Sequence, residues 1–166
     1  MENELTYQTI DKLDRPGAEA LLKSIIRNAE LFDEEILSPN ILKKEIFIEG
    51  INNSDIFKEF NDLKIDESDV NQQALKVLIT DDDYNGFFNG YEEPPRELPQ
   101  NYSFDPQTVI TSTTLCLIVL STYVHLKKDK DGKWTFEFKI MPASNSLKME
   151  LLKLIKKLTS GLPEGN

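Results

Sequence analysis

Only one cysteine, Cys116, one histidine, His125, and one tryptophan occur among the 166 residues. A lone cysteine rules out an internal disulfide framework, a CxxC redox pair and a cysteine-built zinc cluster. Cys116 lies within a long apolar run, so its thiol is expected to be buried and inert. His125 stands at the end of the same run, where a hydrogen-bonded sheet residue is the expected role rather than a general base. The GxSxG elbow, the phosphate-binding and dinucleotide glycine loops and the HExxH pair are all missing. Carboxylates are plentiful, but in an acidic chain their pairing points to no hydrolase. The expectation is a protein that is not an enzyme. Met1-Glu2-Asn3-Glu4-Leu5 has neither the basic nor the apolar region of a secretory signal, which together with the lone cysteine points to the cytoplasm.

Positive charge is scarce over most of the chain. Met1 to Leu126 carries 10 Lys/Arg against 24 Asp/Glu, whereas the remainder carries 9 against 5, giving −10 overall. Nucleic-acid binding relies on neutralising phosphates with Lys and Arg, so that class of partner is not expected. A chain of this length makes about one domain and buries roughly two-thirds of its extended surface without metal or disulfide staples. A single domain over 1–166 is therefore expected.

An amphipathic helix is predicted near 16–32, with Asp14 as cap, Pro16 in its first turn and Ala18, Leu21, Leu22, Ile25, Ile26 and Ala29 on one stripe. Glu45 to Glu49 reads as a short strand ended by Gly50. Ser54 is expected to cap a helix near 54–63 whose Ile56, Phe57, Phe60 and Leu63 share a face. Val70 to Thr80 fits either a buried strand or a helix. The tail closes with a helix near 146–158, with Leu147, Leu151, Leu154, Ile155 and Leu158 on one side. Lys148, Lys153, Lys156 and Lys157 line its other side and are expected to face water, the alternatives being an anionic membrane or a partner groove.

Pro106 to Leu126 holds no charged residue except His125, and Lys127-Lys128 follows at once. One reading is a single membrane span at 106–126, since the length suffices for about 30 Å of hydrocarbon. Seven Ser and Thr residues dilute the run, however. The leading alternative pairs it as a strand with Lys133–Ile140, whose alternation is strict. The register can be tested on the sequence. A two-residue Asp131-Gly132 turn mixes the faces, whereas a three-residue Lys130-Asp131-Gly132 loop with Gly132 in the left-handed position sets Leu126 opposite Phe136 and Val124 opposite Phe138. The expected fold is therefore α+β: a small, mainly antiparallel sheet with a 115–126/133–141 hairpin, packed by three or four helices including the C-terminal amphipathic one.

Residues 81–107 form a long loop rich in Pro and Gly that also carries Tyr84, Phe87, Phe88, Tyr91 and Tyr102. Loops of this length inside a compact domain are usually functional or disordered, and aromatics argue against plain disorder. Aromatics interleaved with carboxylates suit a protein-binding surface, with Tyr84, Phe87, Phe88 and Tyr91 as contact residues.

Asp81 to Glu92 also resembles the twelve-residue EF-hand calcium loop. Oxygen side chains stand at positions 1, 3, 5 and 9, glycine at position 6, an apolar Phe88 at position 8 and a carboxylate at position 12. The resemblance implies Ca²⁺ held by Asp81, Asp83 and Asn85 through side-chain oxygens, by Phe87 through its carbonyl, by Asn89 through water and by Glu92 through two oxygens. It covers these twelve residues and occurs once in the chain. Pro94 and Pro95 follow where the family has an exiting helix. The competing account is an ordinary loop in which Asn85-Gly86 makes a tight turn.

Taken together, the sequence points to a non-enzymatic interaction domain, of adaptor, regulatory or inhibitor type, whose partner is another protein. The alternatives are a calcium-responsive protein and a single-span membrane protein.

Overall fold

The computed structural model describes residues 7–31, 44–89, 111–139, 141–142 and 144–160. Among these, the elements are α1 (Tyr7–Asp11), α2 (Arg15–Asn28), α3 (Lys44–Asn52), α4 (Phe57–Asp62), α5 (Val70–Thr80), a 3-10 turn (Asn85–Phe88), α6 (Ser112–Tyr123), β1 (Val124–Lys128), β2 (Trp134–Phe138) and α7 (Asn145–Ser160). The fold is α+β: among the described residues the helices pack mainly on one another, and α3 and α6 join them to one antiparallel strand pair.

Helix α2 follows its sequence signals. Asp14 Oδ1 accepts the Gly17 N–H at 2.8 Å, and Ala18, Leu21, Leu22, Ile25 and Ile26 are buried. Its end is less legible: Glu30 N–H bonds Arg27 C=O and Leu31 N–H bonds Ile26 C=O, a Schellman closure that places Glu30 at φ 54.

Helix α5 forms the centre, packing against α1, α2, α6 and α7. Gln72 reaches back to the Asp69 N–H at 2.8 Å to box its N-terminus. Burial of Asn71 and Gln73 beside Ala74, Leu75, Val77 and Leu78 shows why periodicity left this segment ambiguous: little of the helix faces water. Helix α6 is apolar all round in its middle, where Leu115 to Leu120 are buried, and carries Ser and Thr at both ends.

Two segments expected as strands are helical. Residues 115–123 belong to α6, so the first arm of the hairpin starts only at Val124. Continuous apolar sequence fits a helix buried on all sides as well as a buried strand, and Thr111 settles the helical start by accepting the Thr114 N–H at 3.2 Å. Glu45 to Glu49 lies inside α3, where Phe47, Gly50 and Ile51 are the buried positions. Five residues are too few to separate a period of two from one of 3.6.

The register of the hairpin is the one the three-residue loop requires, with Val124 opposite Phe138 and Leu126 opposite Phe136. Gly132 has φ +80 and donates its N–H to Asp129 C=O at 3.1 Å. Asp129 Oδ1 also accepts the N–H groups of Asp131 and Lys133, each at 2.9 Å, which tightens the turn. Phe136 and Phe138 meet edge-to-face at 5.3 Å.

Helix α4 begins at Phe57 and has no side-chain cap. Ser54, expected as that cap, donates its hydroxyl to Ile51 C=O at 2.7 Å and closes α3 instead. Phe57 is exposed, while Ile56 and Phe60 pack on the core.

The lysines of α7 are not the water-facing stripe their spacing suggests. Lys157 is buried, with Nζ 2.6 Å from Asp66 Oδ1 and 2.8 Å from Ser68 C=O. Lys156 donates to the carbonyls of Phe60 and Leu63, capping the C-terminal end of α4. Lys148 pairs with Glu59 at 2.9 Å, and Lys153 with Glu150 at 3.4 Å. A helix whose lysines are occupied by its own protein offers less to an anionic surface.

No helix among the described residues is long and apolar enough to cross a membrane. Helix α6 has 12 residues, or roughly 18 Å of axis against about 30 Å of hydrocarbon. Residues 106–110 of the span alternative lie outside the described residues.

Candidate functional site

Asp81 terminates α5, and the chain turns tightly there because two N–H groups, from Tyr84 at 3.0 Å and Asn85 at 2.8 Å, share its carbonyl. Its side chain faces inward and is 8 % exposed. Oδ1 accepts the Asp83 N–H at 2.9 Å, and Oδ2 accepts the Tyr123 hydroxyl at 2.5 Å. Burial, then the hydrogen bond to Asp81, pushes the Tyr123 hydroxyl far above the ordinary tyrosine range, so it stays a donor. Tyr84 is also shifted upward, by burial and by the charges of Asp81 and Asp83.

The 3-10 turn that follows divides the aromatics. Phe88 is 2 % exposed and belongs to the core, whereas Phe87 is 42 % exposed. Phe88 was expected among the contact rings and is instead an anchor of the turn, because successive residues of a tight helical turn point in different directions. Tyr84 is half-buried, stacked on Phe87 at 6.4 Å and edge-on to Tyr123 at 6.4 Å. Asp82 and Asp83 lie beside this pair in sequence, with Asp82 exposed. Tyr91 and Tyr102 lie outside the described residues.

Of the residues that the calcium resemblance implies, Asp81, Asp83, Asn85, Phe87 and Asn89 fall within 81–89, and Glu92 lies outside the described residues. Both Asp81 oxygens accept hydrogen bonds from the protein. Asn85 directs its amide toward Asp82 Oδ1 at 3.4 Å. Among the described residues, no three His, Cys, Asp or Glu side chains come together in a group that could hold a metal ion. Gly86 lacks the positive φ that would require glycine, and a Cβ there would meet nothing within 4 Å. The Asn85-Gly86 tight turn expected on the ordinary-loop account is a 3-10 helical turn.

The other reactive groups differ: Cys116 is enclosed, whereas His125 Nε2 is buried with no hydrogen-bond partner among the described residues. Cys116 is buried, its Sγ 3.4 Å from Val70 C=O, and burial pushes its thiol far above the ordinary range. His125 lies opposite Glu137 in the sheet, with Nε2 3.4 Å from Glu137 Oε2. The residue that sequence reasoning missed is Tyr123. It reads as the end of an apolar run, and nothing local signals a carboxylate partner 42 positions away.

No protein-family model, no curated protein and no solved structure matches this chain.

Proposed function

We propose that the chain is a non-enzymatic protein-interaction domain of the cytoplasm, of adaptor, regulatory or inhibitor type, and that the turn at Tyr84–Phe88 is a principal contact surface. The observation that carries this reading is the division of two adjacent rings. Phe88 is fixed in the core while Phe87 is partly exposed, stacked on Tyr84. A ring held on a short backbone turn loses little conformational freedom on binding, which is what a binding anchor requires. Acidic neighbours Asp82 and Asp83 favour a partner surface that is apolar at its centre and basic at its rim.

Photo-crosslinking tests this. A benzoylphenylalanine at position 87 should capture one defined protein, and one at exposed Ile48 should not. In a binary complex rebuilt from purified components, Phe87→Ala should weaken binding by at least tenfold, about 1.4 kcal/mol. Equal affinity of wild type and Phe87→Ala would remove the turn from the interface.

A further inference from the structure

The two edges of the hairpin differ in a way that follows from its hydrogen-bond phase. Lys139 N–H bonds Tyr123 C=O at 2.6 Å and Asp129 N–H bonds Lys133 C=O at 2.8 Å. With the observed register, His125 and Lys127 therefore turn their backbone groups toward β2, while Val124, Leu126 and Lys128 turn theirs outward. On β2 the outward groups belong to Trp134, Phe136 and Phe138. That edge is closed by α3: Asn53 Nδ2 donates to Trp134 C=O at 2.7 Å, Glu49 Oε1 accepts Trp134 N–H at 3.4 Å, and a Cβ on Gly50 would stand 3.3 Å from Phe136 N. On β1, the Val124 N–H is used by Leu120 C=O. Among the described residues, nothing pairs with the outward N–H and C=O of Leu126 or Lys128.

We propose that β1 is a docking edge for an extended acidic segment of another protein, which adds as a third strand. Charge selects this occupant. Residues 124–139 hold five lysines against three carboxylates, while the rest of the chain holds 14 Lys/Arg against 26 Asp/Glu, so the hairpin is a positive island in an acidic protein. A second copy would bring another Lys127-Lys128 pair against the first, and edge lysines discourage such self-pairing. An acidic strand meets the opposite condition. Its residues beside His125 and Lys127 would lie on the polar face, sharing the exposed Lys127 ammonium with Glu137, which lies 3.3 Å from it, and the intervening ones beside Val124, which is buried, and half-buried Leu126. The segment recognised is therefore extended and alternates acidic with apolar residues, the main-chain bonds supplying affinity and the alternation specificity. None of residues 81–89 takes part, so this edge stands or falls separately from the aromatic turn.

The probe is a synthetic octapeptide of alternating valine and glutamate, titrated into the isotope-labelled full chain and followed by amide exchange. The expected result is at least tenfold slower exchange of the Leu126 and Lys128 amides at saturating peptide. A valine–lysine octapeptide should give no such slowing. Lys128→Pro removes an outward N–H without removing a ladder bond and should weaken binding at least tenfold. Should that variant not fold, the double charge reversal Lys127→Glu/Lys128→Glu should weaken the glutamate peptide and favour the lysine one. Absence of slowing at several millimolar peptide, or slowing confined to other segments, overturns the proposal. So does equal binding of both peptides. Slowing that grows with protein concentration alone would assign the edge to a second copy and likewise overturn it.

Discussion

The Tyr123 hydroxyl donates to Asp81 Oδ2 at 2.5 Å, tying the last residue of α6 to the residue that closes α5. This bond fixes the start of the turn that presents Phe87. Tyr123→Phe takes a donor from a buried carboxylate, and Asp81→Ala strands a buried hydroxyl. Each is expected to cost about 1–3 kcal/mol in chemical denaturation, and the double variant less than the sum. Millimolar calcium is expected to leave the melting temperature unchanged, because the Asp81 carboxylate is already engaged. A rise that Glu92→Gln abolishes would instead support the calcium loop.

Glu30 occupies a left-handed position at φ 54, where a side chain is strained. Glu30→Gly keeps both bonds of the closure and should raise stability by up to about 1 kcal/mol, read as a higher denaturation midpoint. A lower midpoint would mean that the Glu30 side chain contributes more than its backbone costs.

Gly50 lets α3 approach the hairpin, since an added Cβ would stand 2.7 Å from Leu126 Cδ2 and 3.3 Å from Phe136 N. Alanine would gain about 1 kcal/mol of helix propensity, yet overpacking against backbone is expected to win, for a net loss of about 1–2 kcal/mol. In the Leu126→Ala background the same substitution should cost less, because the nearer obstacle is gone.

This glycine also shows which parts of the fold were legible in the sequence. Its reading as a strand terminator rested on neighbours in sequence, whereas its reason for being small is a contact with residues 126 and 136. The hairpin register was legible because one loop length alone aligned Leu126 with Phe136 and Val124 with Phe138, both local relations. The helical state of 115–123 was not, because a run buried on every side shows no period. At the candidate site the cluster of aromatics and carboxylates was visible, but the division of Phe87 from Phe88 depends on how α5 ends and on Tyr123. The lysines of α7 misled for the same reason: Asp66 and the end of α4 are remote in sequence.

Asp66 gives the protein an acid-sensitive joint. Burial alone would raise its pKa, but hydrogen bonds from Lys157 and Ser68 and the Lys157 charge hold it well below the usual carboxylate range. Its Oδ2 also lies 3.6 Å from the nearly buried Lys76 Nζ. A depressed folded-state pKa contributes stability that is complete above the unfolded value, about 3.9, and is lost as pH falls below it. The melting temperature should therefore drop between about pH 5 and pH 2 more steeply for wild type than for Asp66→Asn. Parallel profiles would show that Asp66 is not part of the acid response. The side chain is 47 % exposed, so screening by water keeps the effect modest.

Two adjacent rings have opposite roles, and the most direct measurement compares Phe87→Ala with Phe88→Ala for both stability and capture of the partner crosslinked at position 87. Phe88→Ala should lower stability by about 3–5 kcal/mol, as for a buried phenylalanine. Phe87→Ala should leave the melting temperature within about a degree of wild type, consistent with a change of under about 0.5 kcal/mol at an exposed site, and should lose the partner. If Phe87→Ala unfolds as readily as Phe88→Ala, the turn is part of the core; if it keeps the partner at wild-type affinity, the contact surface lies elsewhere.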